Sequence, residues 1–360
     1  MTSPIPFPAR VIGLMSGTSA DGVDAALITT DGHAEVKTHE ALFVPYSDTL
    51  RKDILKLMQG QGDKAAVAKA LTAVHIEAVR ELQKRLKTPV DAIGFHGQTI
   101  KHDPAKGITE QIGDAEFMAK ELGLPVVADF RSNDVKNGGQ GAPLVPLYHA
   151  ALAHGLPEPL LVVNIGGVAN VTYISDDGNK IIAFDCGPGN ALLDDWIGKH
   201  TAMRYDRNGE IAAKGKVDEA LVAQWMGDPF FSAPVPKSLD RNHFHYINAA
   251  LEGMTLADGA ATLTAFTAAT IERAVRFAPQ TPKQILVTGG GRHNPTLMTM
   301  IKERINAPIA PVEAAGWDGD MLEAQAFAYL AVRSIRRLPL TLPSTTGVDR
   351  PATGGVFYPA

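Results

Sequence analysis

The sequence has one cysteine, Cys186, so no disulfide can form within the chain. That rules out a disulfide-stapled scaffold and suits a reducing, cytoplasmic setting. No window reaches the roughly 18 uninterrupted apolar residues of a membrane-spanning helix, so no membrane partner is expected. The first ten residues carry Pro4, Pro6 and Pro8 and no apolar stretch of signal-peptide type. Neither sign of charge dominates: 34 Lys+Arg face 39 Asp+Glu, a net charge of -5. A broad nucleic-acid surface is therefore not expected. Several catalytic signatures are also missing. There is no G-x-x-x-x-G-K-[ST], no G-x-G-x-x-G between a strand and a helix, and no H-E-x-x-H, C-x-x-C, G-x-S-x-G or H-R-D. Their absence argues against P-loop NTPases, zincins, zinc ribbons, α/β-hydrolases and protein kinases.

What is present is material for packed cores: 45% apolar and 20% charged residues. At roughly 150 residues per domain, the 360-residue chain suffices for two domains. The hydrophobic pattern gives those domains content. Residues 11–15 read as a buried strand, followed by a Gly/Ser/Thr-rich turn from Ser16 to Gly22. Residues 23–30 and 35–44 read as two more strands joined at Asp31-Gly32, a hairpin signal. The same order returns about 150 residues later: strand 160–164, glycine turn 165–170, strand 171–175, turn 176–179, strand 181–185.

The continuation repeats as well. Helix 66–87, strand 92–95, helix 114–122 and strand 125–128 follow the first meander. Helix 262–277, strand 284–288, helix 294–305 and strand 308–312 follow the second. The expected fold is thus α/β: two duplicated βββαβαβ domains flanking an active-site cleft. The division is placed at residues 1–134 and 135–340, with helix 319–337 as a bridge and tail 341–360 docking back on the first domain.

The 34 glycines cluster at the ends of these strands. Gly17 and Gly22 lie in the first turn, Gly166 and Gly167 in the second. Gly94 and Gly97 flank His96, Gly187 and Gly189 follow Asp185, and Gly289, Gly290 and Gly291 follow a strand. Glycine lets backbone amides turn inward and approach an anion, so two such hairpin turns suit a polyphosphate. The plainer alternative is tight-turn geometry alone.

The duplicated pattern resembles the actin, hexokinase and Hsp70 superfamily, with its RNase H-like domains. More narrowly, the segment Met15-Ser16-Gly17-Thr18-Ser19-Ala20-Asp21-Gly22-Val23-Asp24 resembles the phosphate loop of the anhydro-N-acetylmuramic acid kinase family. So do Gly94-Phe95-His96-Gly97-Gln98-Thr99, Asp129-Phe130-Arg131, Asn164 through Asn170, Phe184 through Asn190, and Thr288 through Asn294. The matches keep the family's order along nearly the whole chain. Cys186 departs from the pattern, where Thr is expected.

The resemblance implies a phosphotransferase acting on an alcohol group. ATP and water would convert 1,6-anhydro-N-acetylmuramic acid into N-acetylmuramic acid 6-phosphate and ADP, in bacterial cell-wall recycling. It also implies a homodimer, small-molecule partners and Mg²⁺. Water must attack an oxocarbenium-like anomeric carbon, a task for a carboxylate base as in inverting glycosidases. Asp185, closing a strand, takes that role; the other reading makes it the N-cap of helix 190–199. ATP is assigned to Gly17, Thr18, Ser19, Ala20, Asp21, Gly22, Val23 and Asp24, to Asn164, Gly166 and Gly167, and to Gly289, Gly290, Gly291 and Asn294. Asn294 or His293 could instead cap a helix. The sugar is assigned to His96, Gln98, Thr99, Arg131 and Glu323, with Arg131 answering the lactyl carboxylate. An interdomain salt bridge for Arg131 and a first-turn charge for Glu323 remain open. Asp21, Asp24 or Glu323 could meet Mg²⁺. The alternatives in function are another sugar or acetate kinase of the superfamily, or a filament-forming or chaperone ATPase. A sugar-binding repressor would need a helix-turn-helix before the first strand, where none is legible.

Overall fold

The computed structural model describes residues 5–360. In chain order its first elements are β1 (Ala9–Ser16), β2 (Gly22–Thr30), β3 (Val36–Pro45), α1 (Asp48–Met58), α2 (Lys64–Lys84), β4 (Ala92–Asp103) and β5 (Ile108–Ile112). α3 (Ala115–Leu122), β6 (Val126–Ala128), α4 (Ser132–Lys136) and α5 (Pro146–Ala153) follow. Next come β7 (Leu160–Ile165), β8 (Val168–Ser175), β9 (Lys180–Pro188), α6 (Ala191–His200), α7 (Glu219–Trp225) and α8 (Ile247–Ala250). The last are α9 (Leu256–Val275), β10 (Gln284–Thr288), α10 (Pro295–Arg304), β11 (Ile309–Pro311), α11 (Leu322–Ile335), α12 (Pro343–Thr346) and β12 (Val356–Tyr358).

Two sheets share one topology. The first runs β3-β2-β1-β4-β6, with β12 outside β6 and β5 paired to β4. The second runs β9-β8-β7-β10-β11. In each, three strands form an antiparallel meander and the next two join in parallel. The mixed α/β fold is a duplicated βββαβαβ unit. β1 is buried along almost its whole length, which is why its sequence is an apolar run rather than an alternation. Edge strand β3 alternates toward solvent. The β8–β9 turn places Asp176, Asp177 and Gly178 at positive φ, where Asp and Gly are the residues best tolerated. α2 starts where Asp63 accepts from the Ala66 amide and buries Val67, Leu71, Ile76, Val79 and Leu82 on one stripe.

The chain divides into two compact units: residues up to His154 together with Met321–Ala360, and Gly155–Asp320. That differs from a division at 134 and 340. α4 and α5 stay with the first unit, and so does the helix expected as a bridge. The reason lies in two glycines. A Cβ at Gly13 on β1 would run into the Ala324 carbonyl, and one at Gly94 on β4 into the Phe327 carbonyl. α11 therefore lies directly on the backbone of the first sheet. The tail is tied to the same unit: β12 pairs with β6, and buried Asp134 accepts from the hydroxyls of Thr341 (2.5 Å) and Thr346 (2.6 Å). Several features lie outside the expected elements: α1, α4, α5, α12, the extension of β4 into a hairpin with β5, and the short helices between α6 and α9.

Candidate active site

In the first unit the expected residues gather at the carboxyl ends of β1, β4 and β6, where open α/β sheets hold ligands. The β1–β2 turn exposes Thr18, Ser19 and Asp21, half-exposes Gly17 and Asp24, and buries Ala20, Gly22 and Val23. Ala20 sits at φ 51, a conformation a non-glycine residue adopts at a cost of about 1 kcal/mol. The turn is fixed from beneath. Tyr46 Oη donates to Ser16 Oγ (2.9 Å), Ser16 Oγ donates to Gln98 Oε1 (2.6 Å), and Gln98 Nε2 donates to the Gly17 carbonyl (3.1 Å). Gln98 is wholly buried. Its amide thus shapes the turn rather than facing a sugar. Thr99 accepts from Gln111 Nε2 (3.2 Å) across the β4–β5 pair.

His96 is also spoken for. Arg131 Nε approaches its Nε2 at 3.0 Å, and a guanidinium only donates, so Nε2 accepts. Nδ1 then carries the proton and donates to the Gly97 carbonyl (2.8 Å). The ring is neutral, and burial, reinforced by Arg131, holds its pKa well below the ordinary histidine range. Arg131 also donates from Nη1 to the Gly141 carbonyl (2.7 Å). Burial lowers its pKa to about 10, against the pull of Glu323 and Asp134. Glu323, in the first turn of α11, is raised by burial and held down by Arg131. His96 therefore orients a cation whose carboxylate neighbours lie in its own unit. Asp129, two residues earlier, sits at φ 56 and marks a strained bend at the end of β6.

In the second unit the β7–β8 turn, the Gly289–Gly291 run after β10 and Asp185 on β9 lie at one end of the sheet. Register pairs Asn164 with Thr288 and Asn170 with Asp185. The carbonyl of Gly166 accepts from the Asn190 amide (2.7 Å), and that of Gly167 from Gly189 (3.0 Å) and Ala191 (3.2 Å). Asn294 is the N-cap of α10, its Oδ1 accepting from the Leu297 amide (3.0 Å). Exposed His293 meets Asp320 at 3.4 Å. Arg292 is almost fully buried and binds Glu313 (2.9 Å), Asp320 (2.8 Å) and the Gly289 carbonyl (3.1 Å), pinning the glycine run.

Asp185 is not a helix cap: α6 begins after Asn190, which makes no side-chain cap bond. The carboxylate is half-buried, and Oδ2 accepts from the Leu239 amide at 2.8 Å. Desolvation raises its pKa from 3.8 to about 7, and the Leu239 bond opposes that rise. A carboxylate poised there is matched to proton transfer at neutral pH. Cys186 beside it is buried and donates to the Ala169 carbonyl (3.3 Å), so the thiol points into the sheet.

An absence of neighbours separates the glycines. A Cβ at Gly17, Gly166, Gly167 or Gly290 would meet nothing nearer than 3.5 Å beyond its chain neighbours. At Gly187 and Gly291 it would collide with Thr270 and Ile165. The first set leaves backbone open to a ligand; the second packs.

The sequence profile of one family, anhydro-N-acetylmuramic acid kinase, matches residues 9–360. The chain belongs to the anhydro-N-acetylmuramic acid kinase family. It is 52% identical to the anhydro-N-acetylmuramic acid kinase of Acidiphilium cryptum (strain JF-5), covering 96% of this chain and 97% of that one. It is 51% identical to that of Paramagnetospirillum magneticum (strain ATCC 700264 / AMB-1), covering 96% and 98%. Among solved structures, ligand-bound xylulose kinase from Lactobacillus acidophilus is similar at a TM-score of 0.48 and 10% identity, over 98% of this chain and 94% of that one. Among the described residues of this family member, no helix is long and apolar enough to cross a membrane.

Proposed function

We propose that the protein phosphorylates 1,6-anhydro-N-acetylmuramic acid with ATP while water opens the anhydro ring. The observation that carries this reading is the Asp185 carboxylate, desolvated within β9 rather than closing it and accepting from the Leu239 amide. Asp185 takes a proton from water as the water oxygen bonds to C1. The electron pair of the C1–O6 bond passes to O6, which bonds to the γ-phosphorus as the β,γ-bridging oxygen leaves with ADP. Phosphorus thus takes the role that a protonated acid plays in inverting glycosidases, and one carboxylate suffices. The products are N-acetylmuramic acid 6-phosphate, ADP and one proton.

The open backbone at Gly17, Gly166, Gly167 and Gly290 suits the approach of anionic phosphates or nucleotide. Thr18 and Ser19 add hydroxyls in the first unit, and in the second Asn164 and Gly289 lie beside the open glycines. Arg131, oriented by His96, suits the lactyl carboxylate, and Glu323 a sugar hydroxyl. Among the described residues no group of three or more His, Cys, Asp or Glu could hold a metal ion. Mg²⁺ carried by ATP needs only one or two protein carboxylates beside the phosphates, so the donor set still fits. Asp21 and Asp24 are those acids. Asp21 is exposed and meets Arg51 at 3.3 Å. Glu323 fits less well, because burial favours its protonated form. Mg²⁺ would neutralise charge on the transferring phosphoryl group. A homodimer in a bacterial cytoplasm, serving cell-wall recycling, completes the reading.

The test uses anhydro-N-acetylmuramic acid, ATP and Mg²⁺ in ¹⁸O-water. Sugar 6-phosphate and ADP should form in equal amounts, with no label in the phosphoryl group. Labelled inorganic phosphate would instead mark an ATPase. Faster turnover of N-acetylmuramic acid than of its anhydro form would mark a plain sugar kinase.

A further inference from the structure

β9 is the edge strand of the second sheet, yet its Asp185 amide is not left open. It donates to the carbonyl of Lys237 at 2.9 Å, and two residues on, Leu239 returns an amide to the carboxylate at 2.8 Å. The end of a segment outside the duplicated pattern, residues 229–239, therefore meets the strand at the reactive side chain through Lys237 and Leu239.

Lys237 anchors it. Its Nζ donates to the carbonyls of Phe230 (2.6 Å) and Ala233 (3.5 Å), which close the short helical turn Pro229–Ser232. The same ammonium lies 4.5 Å from the ring centre of Phe230, 4.6 Å from Phe277 and 6.0 Å from Phe184. Phe184 immediately precedes Asp185. A cation among three aromatic faces and two carbonyls holds both its hydrogen bonds and its rings. Few other titratable groups surround it: Arg273 on α9, whose Nε donates to the Phe231 carbonyl (3.4 Å), and the Cys186 thiol on β9.

We infer that residues 229–239, locked by Lys237, form a positioning strap that aims the Asp185 carboxylate and keeps water from its flank. Lys237 touches no reacting atom. This inference rests on the reading of Asp185 as the base. Releasing the strap has two opposed effects. Losing the Leu239 bond disfavours the ionised carboxylate, whereas admitting water favours it. Burial is the larger influence on Asp185, so the net effect is an easier ionisation and a weaker base.

The experiment compares pH profiles of kcat/KM for the parent, Lys237→Met, Lys237→Arg and Phe230→Leu. Lys237→Met should lower the plateau about tenfold and move the acidic limb down by roughly half a pH unit or more, with KM for ATP within about threefold. Phe230→Leu, which keeps the charge but opens one wall of the cage, should move the limb the same way by less. It also serves if Lys237→Met does not fold. Lys237→Arg keeps a cation among the rings and should keep the parental limb. A limb that stays at the parental pH in both Lys237→Met and Phe230→Leu, or moves upward, overturns the inference. Asp185→Asn separates the two readings: near-parental turnover there removes the base assignment itself, whatever Lys237 does.

Discussion

Asp185→Asn should make the protein more stable at alkaline pH while abolishing its turnover. The carboxyl has a pKa of 3.8 in the unfolded chain and about 7 in the fold. Between those values the native state holds a proton that the unfolded state has lost. Stability therefore falls as pH rises through this window, and the full cost is present above it. A shift of roughly 3 units corresponds to about 4 kcal/mol. The residue is half-buried, so solvent screening reduces this to about 2–3 kcal/mol. Asparagine keeps the shape, and its carbonyl can accept the Leu239 amide, but it carries no charge to desolvate. In urea at about pH 8.5, the transition of the second unit should move up by roughly 1–2 M for the variant. Near pH 4 the two proteins should coincide. Turnover should fall at least about 100-fold, and the acidic limb near neutrality should disappear. A variant less stable than the parent at alkaline pH would refute the desolvation argument. Turnover within about tenfold of the parent would refute the base assignment.

The glycines offer a matched pair of experiments. Gly167→Ala should change stability by less than about 0.5 kcal/mol yet raise KM for ATP about tenfold or more, whereas Gly13→Ala should cost several kcal/mol, read by calorimetry. Gln98→Leu should loosen the β1–β2 turn, raising KM for ATP about tenfold with kcat falling less and with about 1–3 kcal/mol of stability lost. Arg131→Ala should raise KM for the muramic substrate about 30-fold or more, and an anhydro sugar lacking the lactyl group should be insensitive to it. Equal losses on both sugars would assign Arg131 to structure alone.

Much of the fold was legible because its signals are local. Buried strands such as β1 and β7 are continuous apolar runs, Asp31-Gly32 and Asp176 through Gly178 announce turns, and α2 carries an unbroken helical stripe. The membership of α11 was not legible, since an all-round apolar helix states only that it is buried. What assigns it to the first sheet is a space requirement at Gly13 and Gly94, a relation between residues over 200 positions apart. The site shows the same limit. Residue type says that His96, Gln98 and Thr99 can hydrogen-bond, but not to what. The strap residues 229–239 gave no periodic signal; Phe230, Phe231, Pro234 and Pro236 around Lys237 were the available hint of a fixed segment.

Beyond the many glycines that hold positive φ in turns and caps, two further groups have opposite consequences for substitution. At Gly13 and Gly94 backbone must meet backbone, and a methyl group has nowhere to go. At Gly17, Gly166, Gly167 and Gly290 the space is open and none of these residues has positive φ, so the fold alone does not demand glycine there. Open backbone of this kind is what the proposed nucleotide contact would use. That Gly17 has its counterparts Gly166 and Gly167 after the equivalent strands β1 and β7 follows from the duplication. That the third meander strand of the second copy carries a desolvated carboxylate does not. In the first copy the strand equivalent to β9 is β3, where the position is open to solvent and carries no acid held by a strap. Duplication supplied two surfaces of similar shape, and the strap on β9 made one of them chemically distinct.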